Sequence, residues 1–324
     1  MELFRYEKPL SLMAQAKRFG ALSVIMVLTS LVLIFTKGFN MGIDFAGGTV
    51  IQVKYDQKAP IDEVREVLST QEAYKGASVT FFGVDEEIVI KTKTSSKNVG
   101  VDIGDQIRDL LKDTQGFQEV RRVDMVGAKV GSELREKGLM AMVLAIIGIL
   151  IYVSFRFEWR FAVASVMALI HDVTIAMGMI VLFSVEVNLD ILAALLTILG
   201  YSLNDTIIVF DRIREGIRMI KEPDLGSIID ESVSRTLSRT TLTSLTTFFV
   251  VLTLFLFGGE IINGFSFTLL VGVIVGTYSS IFVASPILMW LGFSVSGFRN
   301  KEADKLKREK EKEKMRSMYE QGTL

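Results

Sequence analysis

The sequence predicts an α-helical polytopic membrane protein with six transmembrane helices and one extracytoplasmic ferredoxin-like α+β domain between helices 1 and 2. Three observations lead to this fold class. Half of the 324 residues are hydrophobic and the mean hydropathy is +0.41, which is rare for a soluble domain of this length. The apolar residues are collected into six long runs. One polar segment of about 100 residues separates the first run from the second, and it alternates between strand-like and helix-like patterns.

Each apolar run is long enough to cross a bilayer, which takes roughly 20 residues of helix. The first run follows Lys17 and Arg18, as the apolar region of a signal peptide would. It is longer than such a region, lacks an A-x-A-like cleavage site and precedes five further runs, so we expect an uncleaved anchor. The predicted spans are Phe19–Thr36, Gly138–Phe155, Arg160–Phe183, Leu189–Phe210, Thr241–Phe257 and Gly264–Leu291.

Basic residues predict the side of the membrane on which each loop lies. Lys and Arg precede span 1, lie between spans 2 and 3 and between spans 4 and 5, and follow span 6, whereas the loops 184–188 and 258–263 carry neither. Because Lys and Arg accumulate in cytoplasmic loops, both termini are expected in the cytoplasm. The predicted division is a cytoplasmic N-terminus at 1–18, helix 1 at 19–36, an extracytoplasmic domain at 37–137, helices 2–6 at 138–292 and a charged cytoplasmic tail at 293–324.

The polar segment has the order of elements of a ferredoxin-like domain. Alternation in "TVIQVKY" predicts a strand, and "PIDEVREVLS" begins with Pro and carries apolar residues at helical spacing. Two strands, "ASVTFFG" and "EEIVIKTKT", can pair across a "GVDE" turn, and a second helix, "VGVDIGDQIRDLLKD", leads to a last strand, "QEVRRVDMVG". This β-α-β-β-α-β order is the split βαβ unit, in which two helices cover one face of the sheet.

The composition excludes most classes of soluble enzyme. Without cysteine there is neither a disulfide framework nor a thiolate metal site. The single histidine, His171, lies inside a predicted span, which removes most histidine-based zinc sites and any serine–histidine triad outside the membrane. The sequence has no phosphate-binding loop motif. We therefore expect no metal, no cofactor and no bond-making activity.

Ionisable residues inside the predicted spans are the candidates for function, because placing a charge in lipid costs a few kcal/mol or more. Asp205 lies in the inner part of span 4, and Asp172 lies near the centre of span 3. Stripes of small residues at four-residue spacing predict close packing of membrane helices, with Asp172 inside one stripe and Asp205 at the edge of another. The first stripe is Ala164, Ala168, Asp172 and Ala176, and the second is Ala193, Thr197, Gly200 and Asn204.

Span 5 begins beside Arg239 and continues with hydroxyl residues that include Thr243 and Thr247. The adjoining ends of spans 4 and 5 lie on the same side, so a contact between Asp205 and Arg239 is sterically allowed, and the hydroxyls can support a water chain. Two hypotheses for Asp205 stay open: a proton or ion relay, or a structural carboxylate that only bonds to neighbouring helices. Asp172 ranks below Asp205 as a relay residue, and His171 is expected mainly to pack.

The segment "GIDFAGGT" joins span 1 to the domain and contains Asp44, Gly47 and Gly48. The two glycines permit positive φ or close approach of another backbone. We expect a hinge where helix becomes strand, with a substrate-side or conformational role as the alternative.

Several stretches together resemble the SecF family of bacterial protein-export membrane proteins. They are "GIDFAGGT" after span 1, "FRFEWRFA" and "ALIHDV" around span 3, "GYSLNDTIIVFDRIRE" across the end of span 4, and "SRTTLTSLTT" at the start of span 5. The resemblance covers essentially the whole chain. The family's SecD members are similar in the membrane part but have a much larger external region, so about 100 residues fits SecF better.

The resemblance implies a membrane subunit of the bacterial cytoplasmic membrane that forms a heterodimer with SecD and associates with the SecYEG channel and YajC. Such a unit uses an ion gradient, of H⁺ or Na⁺, to promote late steps of preprotein translocation, and it has no nucleic-acid partner. The family's intramembrane acid and arginine fall on Asp205 and Arg239. The alternatives are a translocon scaffold without ion coupling and half of a small-molecule exporter.

Overall fold

The computed structural model describes residues 9–93, 103–220 and 224–320, with side chains up to 317. In these ranges six helical stretches are long and apolar enough to cross a membrane, and the fold is that of the predicted polytopic membrane protein. The membrane helices are α1 (Ala16–Lys37), α5 (Ala128–Arg156), α6 (Trp159–Leu182), α7 (Leu189–Met219), α8 (Leu225–Phe257) and α9 (Gly259–Ser279), which continues through a π-helical turn (Ser280–Ala284) into α10 (Ser285–Trp290).

The short helix α2 (Ile43–Ala46) leads into an α+β domain that has the predicted ferredoxin-like topology. The elements of the domain are β2 (Gly48–Tyr55), α3 (Ile61–Ser69), β3 (Ser78–Phe82), β4 (Val84–Thr92), α4 (Ile103–Leu111) and β5 (Phe117–Val126). The four strands form an antiparallel sheet in the order β3-β4-β2-β5, so the first strand of the domain lies between its third and fourth. Apolar side chains of the sheet pack with two helices into one core, which includes Ile51, Ile90 and Ile107.

Two details of this domain differ from the sequence pattern or lie beyond the described residues. The turn between β3 and β4 is shorter than the predicted "GVDE", because Phe82 pairs with Val84 around Gly83, whose φ is 78°. A glycine takes this positive φ without steric cost, so one residue is enough to reverse the chain. The predicted start of the second helix, residues 99–102, lies outside the described residues.

Helices α6 and α9 form the centre of the bundle. Helix α6 packs against α1, α5, α7 and α9, and α9 also packs against α7 and α8. Helices α1 and α5 turn large apolar side chains such as Phe35, Ile151 and Phe155 outward, as membrane-facing helices do.

Several membrane helices extend beyond the apolar runs that predicted them. Helix α5 begins at Ala128, ten residues before the predicted span, α7 continues to Met219, and α8 begins at Leu225. A polar residue can end an apolar run in the sequence while the helix itself continues. Hydropathy therefore predicts the part of each helix that lies in the lipid and does not predict its polar extensions.

The segments near both termini pack at one end of the helix bundle, and the α+β domain lies at the other end. At the end that we call the terminal side, the Met13 N–H donates to Asp230 Oδ1 at 2.8 Å, and Arg299 of the last helix, α11 (Val295–Glu320), donates to the Ile217 carbonyl at 2.7 Å. The other end, the domain side, carries the α+β domain.

The domain is attached to the bundle at two places. The short strand β1 (Asn40–Met41) pairs in parallel with β6 (Glu186–Val187) between α6 and α7, and Lys91 forms an ion pair of 3.3 Å with Glu186. The edge strand β3 is held by Glu260 near the start of α9, whose Oε2 accepts from the Phe81 N–H at 3.2 Å.

Candidate functional site

Asp172, in the middle of α6, is fully buried and has three side-chain partners. Its Oδ2 accepts hydrogen bonds from Ser202 Oγ at 2.5 Å and from Ser279 Oγ at 2.7 Å. Its Oδ1 lies 2.8 Å from His171 Nδ1. Because Ser202 belongs to α7 and Ser279 to α9, this carboxylate joins three membrane helices. We call these four residues the Asp172 group.

Small residues bring the helices close enough for these bonds. The predicted stripe on α6 is buried along its length, as expected for a face that packs against neighbouring helices. At the α7–α9 contact, a Cβ atom added to Gly276 would lie 3.1 Å from Ser202 Cβ. A larger residue at position 276 would therefore push α9 away from the Asp172 group.

The His171 side chain is buried beside Asp172, where it packs against an aromatic ring and bonds to the Asp172 carboxylate. Its ring stacks on Tyr278 with centroids 6.2 Å apart, and its Nε2 has no hydrogen-bond partner in the described part of the chain. The Tyr278 hydroxyl donates to the Phe19 carbonyl at 2.7 Å and lies 3.0 Å from Ser23 Oγ. The Asp172 group is therefore connected to α1 through an aromatic contact.

Asp205 lies one turn after Ser202 on α7 and is also buried, with 1% of its surface exposed. Its Oδ2 accepts from Ser244 Oγ of α8 at 3.3 Å, and Thr277 Oγ1 of α9 donates to the same Ser244 oxygen at 2.8 Å. We call Asp205, Ser244 and Thr277 the Asp205 group. It joins α7, α8 and α9 in the same way that the Asp172 group joins α6, α7 and α9.

Helix α9 contacts both carboxylate groups through residues two apart, Thr277 and Ser279. The π-helical turn begins at the next residue, Ser280. π-Helical turns recur at functional sites because they re-aim side chains within a helix. In the described ranges neither carboxylate forms an ion pair with Lys or Arg, so uncharged hydroxyls and one imidazole are the groups that stabilise them.

The predicted contact between Asp205 and Arg239 is not formed. The Arg239 side chain is exposed, and Ser244 occupies the place beside Asp205. Thr243 and Thr247 do not face Asp205 either, because their hydroxyls bond to carbonyls of their own helix, at 2.9 Å to Thr240 and at 3.1 Å to Thr243. Residues at 239, 243 and 247 share a face of α8, but it is not the face that packs against α7.

The predicted stripe on span 4 is likewise exposed in this chain. Asn204 lies on it, about 100° around the helix from Asp205, and points away from both carboxylate groups. The face of α7 that packs inward carries Ile198, Ser202 and Asp205. Small size alone does not distinguish two neighbouring faces of an apolar helix, and within the described part of this chain the stripe faces outward. The exposed stripe is Ala193, Thr197, Gly200 and Asn204.

Four hydroxyl residues that complete the site were missed by the sequence analysis. The sequence does contain signals for them, since Ser202 lies three residues before Asp205 and "GTYSS" places polar residues inside an apolar run. A hydroxyl in a membrane helix can bond to its own helix, so a pattern alone does not show which hydroxyl reaches another helix. The missed residues are Ser202, Ser244, Thr277 and Ser279.

The segment "GIDFAGGT", which was predicted as a hinge, forms a close-packed junction in this structure. Gly47 has φ 78°, and a Cβ there would lie 2.8 Å from Ala128 Cα. Gly48 has φ 155°, and a Cβ there would collide with the Thr92 carbonyl. Asp44 Oδ2 accepts from the Leu189 N–H at 3.1 Å, so this carboxylate stabilises the first turn of α7.

No group of three or more His, Asp or Glu side chains in the described ranges is arranged to hold a metal ion. The side chains of the two carboxylate groups are carboxyl, hydroxyl and imidazole groups, which exchange protons and can coordinate hard cations.

Two sequence profiles match the chain. One, described as protein export membrane protein SecD/SecF, C-terminal, matches residues 106–294, and one described as the SecD/SecF GG motif matches residues 32–59. The protein translocase subunit SecF of Helicobacter pylori strain J99 is 50% identical over 324 residues, which is 100% of each chain. The chain belongs to the SecF branch of the SecD/SecF family. The SecF of Vibrio alginolyticus is 44% identical over 292 residues, 90% of this chain and 92% of that one.

Solved SecDF structures have the same fold. The crystal structure of SecDF from Thermus thermophilus, a translocon-associated membrane protein, superposes with a TM-score of 0.77 at 34% identity and covers 90% of this chain. SecDF in a super-membrane-facing form superposes with a TM-score of 0.68 at 32% identity and covers 94%. The chain spans 40% and 41% of those SecDF chains. The family's GG motif coincides with the junction formed by Gly47 and Gly48.

Proposed function

We propose that this chain is the SecF subunit of a protein translocase accessory complex, paired with SecD in the bacterial cytoplasmic membrane. In this proposal a proton or sodium gradient drives late steps of preprotein translocation, in association with the SecYEG channel and YajC. The observation that carries it is the pair of carboxylates buried inside the bundle. Asp172 accepts from hydroxyls of α7 and α9, and Asp205 accepts from Ser244 of α8, which in turn accepts from Thr277 of α9.

The coupling step is a change in hydrogen bonding at α9. When a carboxylate takes up a proton it becomes a donor, and a serine that donated to it must turn to another acceptor or accept instead. For Asp205 this change reaches α9 through Ser244 and Thr277, and for Asp172 it reaches α9 directly through Ser279. A cycle of ion uptake and release at these two carboxylates therefore loosens and restores the hold on one shared helix.

Helix α9 also connects the site with the α+β domain. Glu260 in its first turn accepts from the Phe81 N–H of the edge strand β3. In the proposed cycle, a displacement of α9 by the carboxylate groups moves this contact and so moves the domain. The proposal puts both termini in the cytoplasm and the domain, at 37–137, in the extracytoplasmic space, and the Lys and Arg residues of the terminal side support this orientation.

Arg239 is part of the proposal through the family resemblance and its position on α8. It lies five residues before Ser244, with its guanidinium exposed in this structure. We propose that it approaches Asp205 in another state of the cycle, where its charge favours the ionised carboxylate.

Two carboxylate substitutions that keep the shape but remove ion exchange, and one that removes the arginine, test the proposal. Asp205→Asn, Asp172→Asn and Arg239→Ala are each expected to abolish the gradient-dependent part of preprotein export in membrane vesicles that contain SecD, and to leave the ATP-driven part in place. The control is Asp211→Asn, since Asp211 is a half-exposed acid on the same helix that pairs with Arg156 at 3.1 Å.

A scaffold without ion coupling is the second candidate, because both carboxylates bond across helices as structural residues do. It predicts gradient-dependent export at the wild-type rate for Asp205→Asn and Arg239→Ala. That result would contradict ion coupling and leave membership of the SecF family untouched.

A further inference from the structure

Helix α8 carries a line of buried hydroxyls that reaches from the terminal side to Asp205. Five residues of α8 between 232 and 244 are buried, and apart from Val233 all of them are hydroxyl residues. They follow one another at intervals of four, and the line is Ser232, Thr236, Thr240 and Ser244. At 1.5 Å per residue it is about 18 Å long.

Both ends of this line face α7. At its inner end, Ser244 donates to Asp205. At its outer end, a Cβ added to Gly216 of α7 would collide with Ser232 Oγ, so the two helices touch there. The line therefore runs along the α7–α8 contact, from the third turn of α8 to the Asp205 group.

Two hydroxyls of the line have no partner, although both are almost completely buried. Ser232 Oγ and Thr240 Oγ1, with 1% and 2% of their residues exposed, form no hydrogen bond in the described part of the chain. The same holds for Thr206 Oγ1, next to Asp205 on α7. Burying a hydroxyl without a partner is unfavourable, and an apolar side chain of similar size at these positions would avoid that cost.

The hydroxyls of Ser232 and Thr240 also do not use the partner that is nearest to them. A serine or threonine in a helix can bond to the carbonyl four residues earlier, as Thr236 does to the Ser232 carbonyl at 2.7 Å. Ser232 and Thr240 leave this bond unmade, so their hydroxyls stay available to another polar group. Water is that group in most buried polar sites of proteins.

We propose that the four hydroxyls line a hydrated path between α7 and α8, along which the coupling ion passes between the terminal side and Asp205. This inference rests on the proposed ion coupling and names its route on one side of the membrane. It also separates two sets of hydroxyls on α8, since Thr243 and Thr247 are not among the buried residues of this helix and lie outside the path.

Thiol accessibility tests the path directly, because the natural chain has no cysteine. Ser232→Cys and Thr240→Cys each introduce one thiol with little change in volume, and Val233→Cys introduces one at an equally buried position of α8 that lies in the apolar core. The full chain in lipid nanodiscs is exposed to Ag⁺, a soft monovalent cation that binds thiolates. Unreacted thiols are then alkylated after denaturation and counted by mass spectrometry.

A hydrated path predicts that the thiols at 232 and 240 react roughly tenfold faster or more than the thiol at 233. Equal rates at the three positions would overturn the path. Two positions on the line are used so that a folding defect in one variant does not leave the question undecided.

A second readout connects the path with function. Thr240→Val is expected to lower the gradient-dependent part of export severalfold. Thr253→Val, on the exposed side of α8 where the Thr253 hydroxyl donates to the Phe249 carbonyl, is expected to export normally. If Asp205→Asn stops gradient-dependent export but the three thiols react alike, ion coupling stands and the path is wrong. If Asp205→Asn exports normally, ion coupling fails whatever the thiols do.

Discussion

Ser202 and Asp205 lie one turn apart on α7, and their side chains belong to different carboxylate groups. Ser202 Oγ donates to Asp172 at 2.5 Å, whereas Asp205 accepts from Ser244 at 3.3 Å. On this turn of α7, the Ser202 hydroxyl therefore faces α6 as a hydrogen-bond donor, and the Asp205 carboxylate faces α8 as an acceptor. Any movement of this turn that improves one set of bonds alters the other, so the two carboxylates are mechanically linked through α7 as well as through α9.

The bond from Ser202 should contribute measurably to stability. Ser202→Ala leaves Asp172 Oδ2 with Ser279 as its remaining hydroxyl donor, and the expected loss is about 1–3 kcal/mol in the free energy of unfolding in mixed micelles. Ser266→Ala is the matched control, because Ser266 is fully buried on α9 and its hydroxyl has no partner within the described chain.

A double-mutant cycle with Asp172→Asn assigns this loss to the bond itself. The interaction energy between Ser202→Ala and Asp172→Asn is expected to lie in the range of about 0.5–3 kcal/mol. Additive losses would mean that Ser202 acts through packing alone.

The GG junction should tolerate no side chain. Gly48→Ala places a methyl group against the Thr92 carbonyl and 2.8 Å from Ile43 Cγ2, so β2 or β4 must shift. Gly76→Ala is the control, because Gly76 also has a positive φ, 82°, but a Cβ there meets nothing within 4 Å. The control loses only the backbone cost of about 1–2 kcal/mol, and Gly48→Ala is expected to lose clearly more, measured as thermal stability in detergent. Equal losses would contradict a steric role for Gly48.

The sequence predicted the fold because its signals are periodic and summed over many residues. Six apolar runs set the number of spans, and the alternation in residues such as Ile51 and Val53 set the sheet. The acids were also found from sequence, since a carboxylate inside an apolar run is conspicuous. In contrast, the exact ends of α5, α7 and α8 depend on polar helical turns that carry no hydropathy signal.

The partners of the acids could not be predicted in the same way. Which face of α8 meets Asp205 depends on the rotation of α8 about its axis, and hydroxyls occur on both candidate faces, at Ser244 and at Thr243. The expected Asp205–Arg239 pair followed from charge, but burying a guanidinium costs more than burying the hydroxyl of Ser244 that takes its place. Packing between helices decides such choices, and one sequence does not contain that information.

Asp224 should make stability depend on pH at the terminal side. It is the N-cap of α8 and accepts from the Ser227 N–H at 2.8 Å and from Ser227 Oγ at 2.9 Å. The backbone bond from Ser227 is the largest of the causes that hold the pKa of Asp224 below its ordinary value. The stabilisation is therefore present above the unfolded-state pKa of about 4 and is lost as the pH falls through the lower folded-state pKa.

Two substitutions separate the cap of α8 from its titration. Asp224→Ala is expected to lower stability by about 0.5–1 kcal/mol at neutral pH, with a smaller difference in acid, since the site is exposed and screened. Asp224→Asn keeps a capping oxygen that does not titrate, so its stability should follow the wild type at neutral pH and exceed it in acid. Thermal unfolding in detergent at a series of pH values measures both, and an acid dependence identical in Asp224→Asn and the wild type would refute the assignment.

Asp44 should stabilise the first turn of α7 from another part of the chain. Its Oδ2 accepts from the Leu189 N–H, one of the amides that an α-helix leaves unpaired at its start, and its negative charge lies at the positive end of the helix dipole. Asp44→Ala is expected to cost about 1 kcal/mol and to speed hydrogen exchange at the Leu189 amide by severalfold, as measured by exchange and mass spectrometry on the full chain in nanodiscs. Asp190→Ala is the control, because Asp190 is an exposed acid in the same turn and the Leu189 amide bonds to Asp44 instead. Equal acceleration of exchange at Leu189 in Asp190→Ala and Asp44→Ala would mean that the effect comes from negative charge near the turn. The contact between the GG junction and α7 would then not depend on the hydrogen bond of Asp44.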